Sequence, residues 1–280
     1  VEEPEAHLHI QVQQVFIRQA YKVLTNHKFL KQNLNFTTQL VISTHSSHIA
    51  IETTFGNLRY FKRLPEGTEC AVATSKVINL SDVFGDSDQT NKFVTRYLQS
   101  THCDLFFADA AILVEGVAES MLLPHFIRSK FPELYQRYIT ILGVNGRHAH
   151  RLSPLIEKLC LPTLVITDLD PAEKEGYHKS VVPKRGEGQI SGNYAIAKWL
   201  MKEKDIDKLV DYSEDKKEFS FASPYRFSIR LAYQTPVKVD FEGEEKEAIP
   251  GTFEDCLIYT NYDLFKKIKV TDSGNLVEQT

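Results

Sequence analysis

Residues 111–120 read AILVEGVAES and residues 164–170 read LVITDLD. Each is an apolar run of strand length that stops abruptly in carboxylates, as strands of a parallel α/β sheet do at their carboxyl ends. Glu115, Glu119, Asp168 and Asp170 are hard oxygen donors, which suit Mg²⁺ or Mn²⁺ and not the soft thiolate or imidazole chemistry of zinc or copper. Carboxylates gathered at one mouth repel one another strongly unless cations lie between them. Gly116 lets the chain turn tightly after the first strand, and the helix that follows carries Glu119 four residues past Glu115. The spacing allows a two-metal cluster.

An apolar strand ending in VEG followed by one ending in DLD resembles the TOPRIM domain, the module shared by topoisomerases, primases, recombination mediators and the Overcoming Lysogenization Defect (OLD) nucleases. The resemblance implies that Glu115, Asp168 and Asp170 are metal-binding acids, and that Glu119 matches the extra acid of OLD enzymes. Glu-Gly and Asp-x-Asp alone are common loop fragments. The ordered pair, each behind a buried-type strand, is more specific.

The chain has 280 residues, 42% of them hydrophobic, enough for one large or two ordinary domains with ample core. Its four cysteines, Cys70, Cys103, Cys160 and Cys256, are scattered without C-x-x-C spacing and read as reduced thiols of a cytoplasmic protein. No apolar run has the length of a membrane span, and the acidic first residues are unlike a signal peptide, so no membrane partner is expected. A formal net charge of −4 argues against nonspecific coating of nucleic acid, though catalytic carboxylates count as negative only until a cation binds.

The first residues, VEEPEAHLH, resemble the Walker B end of an ABC-type ATPase. There the first acid helps hold Mg²⁺ and the second positions the attacking water, positions taken here by Glu2 and Glu3, while EAHLH matches the D-loop. The plain alternative is an acidic first turn of a helix, where Pro and Glu are favoured. Helical spacing of Val12, Val15, Phe16, Ala20 and Val23 predicts an amphipathic helix from Leu8 to about Leu30. QLVISTHSSHIA follows, and a strand ending in Ser-Thr-His resembles the segment that carries the ATPase switch histidine, which nominates His45. A lone histidine there is more often structural; the ordered pair of motifs favours the ATPase reading. No G-x-x-x-x-G-K-[ST] loop is present, so the ATP site is incomplete and the N-terminal ATPase half is expected to lie outside this chain.

LRYFKRL and CAVATSKVINL, separated by Pro65-Glu66-Gly67, read as strands. Gly85-Asp86-Ser87-Asp88 is a break, and Phe93, Val94, Tyr97 and Leu98 share a helical face. The expected organisation is residues 1–104 as the C-terminal portion of an ABC-type ATPase domain and residues 105–280 as a TOPRIM domain. The latter has short alternating strand and helix units, hence a central mainly parallel sheet flanked by helices. Its first helix is expected to bury Met121, Leu122, Phe126 and Ile127. Arg147, His148 or His150 in the loop after the middle strand, and the basic stretch around Lys184 and Arg185, suit contact with a phosphate backbone. A helix with Trp199 on its buried side follows. PVKVDFEGEEKEAI reads as a solvated hairpin, and Thr252 caps a helix whose Glu254 matches a late acid of OLD enzymes, a further metal candidate. The catalytic lysine of that family has no clear counterpart; Lys266, Lys267 and Lys269 are candidates, and the expectation is that it lies past Thr280.

The resemblance therefore implies an ATPase-coupled, metal-dependent DNA endonuclease of the Gabija or retron-associated kind used in anti-phage defence. It implies two Mg²⁺ or Mn²⁺ ions at the acids, ATP at a composite site of a homodimer or higher homo-oligomer, and a possible helicase or retron partner. The alternative is an ATPase or DNA-binding scaffold whose TOPRIM-like domain does not cut. Primase or topoisomerase chemistry shares the acids, but no tyrosine nucleophile domain or zinc site is legible.

Overall fold

In the computed structural model the Val-, Ile- and Leu-rich runs form strands whose carboxyl ends point the acids to one edge. The structure describes residues 1–26, 39–53, 55–64, 72–83, 94, 96–98, 103–144, 148–174, 179–222, 225–241 and 243–267. The turn at Pro65–Gly67, the break at Gly85–Asp88, Phe93, Arg147 and Lys269 lie outside these. The chain divides into two compact units, Val1–Ala108 with Glu157–Leu159, and Asp109–Ile156 with Cys160–Thr280.

In the first unit, Glu2 and Ser43 form a parallel bridge, so the two opening motifs lie side by side in extended backbone. The helix between them is described over Ile10–Thr25. Its expected apolar face is not the buried one: Val12, Val15 and Val23 are 48%, 56% and 66% exposed. Gln13 is buried instead, because its amide donates to the Leu8 carbonyl and its side-chain oxygen accepts from the Ser46 hydroxyl. Strands β1 (Arg59–Leu64) and β2 (Thr74–Asn79) pair antiparallel, as the β-branched and aromatic alternation predicts.

The second unit holds β3 (Ala110–Val114), β4 (Ile139–Gly143) and β5 (Thr163–Ile166). Two short strands follow, β6 (Pro171–Ala172) and β7 (Ile190–Ser191), then β8 (Glu218–Phe221) and β9 (Phe227–Ala232). The main sheet has the order β4-β3-β5-β9-β8; the first four strands run parallel and β8 is an antiparallel edge. It is the mainly parallel, helix-flanked α/β sheet that the alternating units predict. The central β3 is buried from Ala111 to Val114, as a strand covered on both faces must be.

The helix Val117–Lys130 lies against this sheet on a face that includes the expected Ile127 but leaves Met121 out. Leu123 and Ile127 pack with Ile112, Val114 and Ile139, whereas Met121 is 73% exposed. Residues 119, 123 and 127 follow the four-residue helical repeat, so the packed stripe carries Glu119 inward as well. Burying each such Leu or Ile contributes roughly 1.5–3 kcal/mol. Trp199 ends the single π-turn Ala195–Trp199 only half-buried; Ile196 and Leu200 take the core positions. Strands β10 (Val237–Phe241) and β11 (Glu244–Ala248) make the expected hairpin, turning at Gly243, whose φ of 85° favours glycine. No helix among the described residues is long and apolar enough to cross a membrane.

Candidate functional site

Glu115 is the first residue after β3, and Thr167, Asp168 and Asp170 follow β5, the strand hydrogen-bonded beside it. The register brings both acidic ends to the same edge. Glu115 Oε2 accepts from the Thr167 hydroxyl at 2.5 Å, from the Asp168 backbone N–H at 3.1 Å and from the Asn193 side-chain amide at 3.0 Å. One oxygen of Glu115 is thus saturated by neutral donors.

Asp168 is held in the same way. Its Oδ1 accepts from Gln234 Nε2 at 2.6 Å and from the backbone N–H of Phe253 at 3.0 Å, the first residue of the helix Phe253–Thr260. That helix starts with a full capping box between Thr252 and Asp255, so its free N–H groups are fixed where they meet the acid. Burial nevertheless pushes the Asp168 carboxyl up to about 7, against the pull of the Gln234 hydrogen bond and reinforced by the charges of Glu115, Glu119 and Asp170. Glu119 is 2% exposed. Burial raises its pKa, and the charges of Glu254 and Glu115 raise it further. A Cβ on Gly116 would stand 2.5 Å from Glu119 Oε2, so only glycine leaves this carboxylate its place. Asp170 adopts φ +47°, a left-handed conformation that Asp tolerates better than most residues.

The electrostatics therefore place Glu115, Glu119, Asp168 and Asp170 in one field, with the exposed Glu254 acting on Glu119. Among the described residues, however, no three His, Cys, Asp or Glu side chains converge closely enough to hold a metal ion as they stand. The donor set still fits a hard divalent cation: all four acids offer oxygen, and Glu119 Oε2 is buried without a hydrogen-bond partner.

Sequence reasoning missed Thr167, Asn193 and Gln234. Thr167 lies inside the quoted motif, and Gln234 follows an apolar strand as the acids do, so position at a strand end was a usable signal for both. Nothing local marks Asn193. His148 is close enough to be affected by Glu115; burial and the Arg151 charge depress its pKa, which leaves a neutral imidazole at pH 7. Arg185 is engaged elsewhere: its guanidinium meets Glu247 at 2.7 Å and Asp211 at 2.8 Å, so the basic loop is a staple between surface elements. Lys266 is likewise paired with Asp263.

In the first unit, His45 Nε2 lies 3.2 Å from Glu3 Oε1, and the Glu3 backbone N–H donates to the Ser43 carbonyl at 2.9 Å. Glu2 stands exposed beside them. Glu3 has φ 39°, a conformation non-glycine residues rarely adopt and one that recurs at functional sites. A further acid holds the arrangement: Glu5 Oε1 accepts from the His45 backbone N–H at 2.6 Å and the Thr44 hydroxyl at 2.8 Å. Burial pushes Glu5 up, but these bonds and one from its own backbone outweigh it and hold its pKa below the ordinary value.

The family model described as "Overcoming lysogenization defect protein-like, TOPRIM domain" matches residues 106–170, and that of the AAA ATPase domain matches residues 1–50. The two matched segments are the ones that hold the Glu115–Asp168 acids and the Glu3–His45 pair, so the chain is similar to OLD-like TOPRIM and AAA ATPase domains there. Two curated proteins are similar to this chain. Endonuclease GajA of Bacillus cereus (strain HuB5-5) is 29% identical over 277 residues, 94% of this chain and 36% of the relative. Endonuclease GajA of Bacillus cereus (strain VD045) is 24% identical over 217 residues, 78% of this chain and 32% of the relative. The chain thus spans about a third of the length of the curated relatives it matches.

Proposed function

We propose that this chain carries the nuclease centre of an ATPase-coupled DNA endonuclease. The observation that supports it most is the set of acids from neighbouring strand ends, Glu115 with Glu119 and Asp168 with Asp170, around a buried carboxylate oxygen that lacks a partner. The two similar Bacillus cereus proteins are named endonucleases, which supports the same reading. The domain division we adopt is ATPase over residues 1–104 and TOPRIM over residues 105–280.

Glu115, Glu119, Asp168 and Asp170 would hold Mg²⁺ or Mn²⁺, with Glu254 as a further acid beside Glu119. Bound divalent ions would supply charge neutralisation on the scissile phosphate and a more acidic water. The protein's own part is positional. Glu115 and Asp168 each spend one oxygen on neutral donors and present the other to the site, which fixes carboxylate direction. Asp168, its carboxyl raised to about 7 by burial, would be deprotonated in holding the ion. The neutral His148 imidazole is suited to accept a proton near the phosphate. In the other unit Glu2, Glu3 and His45 would face the γ-phosphate of ATP, with Glu3 aligning the attacking water. A homodimer or larger homo-oligomer would complete that ATP site, and a helicase or retron partner fits a role in anti-phage defence in the cytoplasm.

The test is cleavage of supercoiled plasmid by the whole protein in Mg²⁺ and in Mn²⁺, beside Glu115→Ala and Asp168→Ala. Nicking or linearisation lost in both variants supports the reading. DNA binding without cleavage in either ion overturns it in favour of a non-cutting scaffold.

A further inference from the structure

Asn193 is fully buried between β7 and the π-turn Ala195–Trp199, and its side chain touches acids from both strand ends. The amide oxygen accepts from the Ala195 backbone N–H at 2.9 Å, which fixes the orientation of the group. The amide nitrogen therefore faces the acids. It stands 3.0 Å from Glu115 Oε2, 2.8 Å from Thr167 Oγ1 and 3.3 Å from Asp170 Oδ2. The Thr167 hydroxyl, accepting from Asn193, donates in turn to Glu115.

The segment cannot drift from this position. β7 pairs with β6, whose first residue follows Asp170, and the Gly192 N–H donates to the Asp170 carbonyl at 2.8 Å. The Asn193 backbone N–H is itself taken by the Ser191 hydroxyl at 3.2 Å. A neutral donor is thus clamped between two carboxylates that repel each other, in a place sealed from water. A lysine there would compete with a cation for the acids, and an apolar residue would leave them uncompensated.

We propose that Asn193 is a positioning residue of the metal centre, holding Glu115 and Asp170 at one donor so that a divalent cation meets them already turned toward it. The inference rests on the proposed nuclease reading. Asn193 adds no charge and ligates nothing; its effect is on the free energy of gathering the acids. Losing such an outer hydrogen bond weakens metal binding by about 10- to 100-fold in comparable sites.

Mn²⁺ titration of the whole chain, followed by the electron paramagnetic resonance of free Mn²⁺, tests this directly. Asn193→Ala and the milder Asn193→Ser are compared with Glu115→Ala and with Leu155→Ala, a core truncation at a fully buried leucine. The expected result is Mn²⁺ affinity lower by about 10-fold or more in both Asn193 variants, near-complete loss in Glu115→Ala, and unchanged affinity in Leu155→Ala at a similar loss of melting temperature. Wild-type affinity in a folded Asn193→Ser protein, with Glu115→Ala still deficient, overturns the role of Asn193 and leaves the metal centre standing. Equal weakening in Leu155→Ala reduces Asn193 to general stability and also overturns it. Wild-type affinity in Glu115→Ala, or no Mn²⁺ binding to the unaltered chain, rejects the metal reading itself and this inference with it.

Discussion

In the cation-free protein Asp168 is about half-protonated at neutral pH, since burial and three neighbouring acids raise it to about 7. An unfolded aspartic acid ionises near about 4. Between those values the folded protein holds a proton that the unfolded chain has released, so the stability gained is full below about pH 4 and is lost as pH rises through about 7. Melting in a chelator should therefore fall between about pH 5.5 and about pH 8, and Mn²⁺ should restore it most at the higher pH. A flat profile would contradict the assignment. Gly116→Ala should displace Glu119, whose oxygen occupies the space of the new methyl, and weaken Mn²⁺ binding measured by calorimetry. Glu115 and Asp168 were legible because each ends a strand with an abrupt switch from apolar to charged. Asn193 was not, because only the packing of a distant segment brings its amide to those acids.

The helices show where periodicity reads true and where it slips. Phe253–Thr260 begins where its cap chemistry says, and the same cap aims the Phe253 N–H at Asp168. Thr252→Ala should cost about 1 kcal/mol in urea unfolding and also lower Mn²⁺ affinity, because the freed turn no longer holds the acid; an unchanged affinity would confine Thr252 to stability. Val117–Lys130 was placed correctly and Ile127 is buried as expected, but Met121 is exposed and Glu119 is buried. A rule that sends charge outward assigns Met121 to the core, whereas the helix turns Glu119, Leu123 and Ile127 inward together. The Ile10–Thr25 helix slips for a related reason, since Gln13 is drawn in by Leu8 and Ser46. A polar side chain with specific partners overrides a weak apolar stripe.

At the scale of the chain, two compact units carry two separate clusters of acids, one around Glu3 and His45 and one around Glu115 and Asp168. Hydrogen–deuterium exchange should register Mn²⁺ alone as slowed exchange in Ala110–Glu119 and Thr163–Asp170, with Val1–Ala50 unaffected. Protection in the first segment instead would move the cation site. The mainly parallel sheet was readable from alternating units, while its strand order and the antiparallel edge β8 were not, because strand direction at an edge is set by the connection and not by composition. Turning Glu119 inward costs the fold stability once the carboxyl ionises. Glu119→Gln keeps the shape and removes a charge that burial disfavours, so it should raise the melting point without added metal at about pH 8 while weakening Mn²⁺ binding measured by calorimetry. At Glu119 the stability of the fold and the proposed metal centre pull in opposite directions.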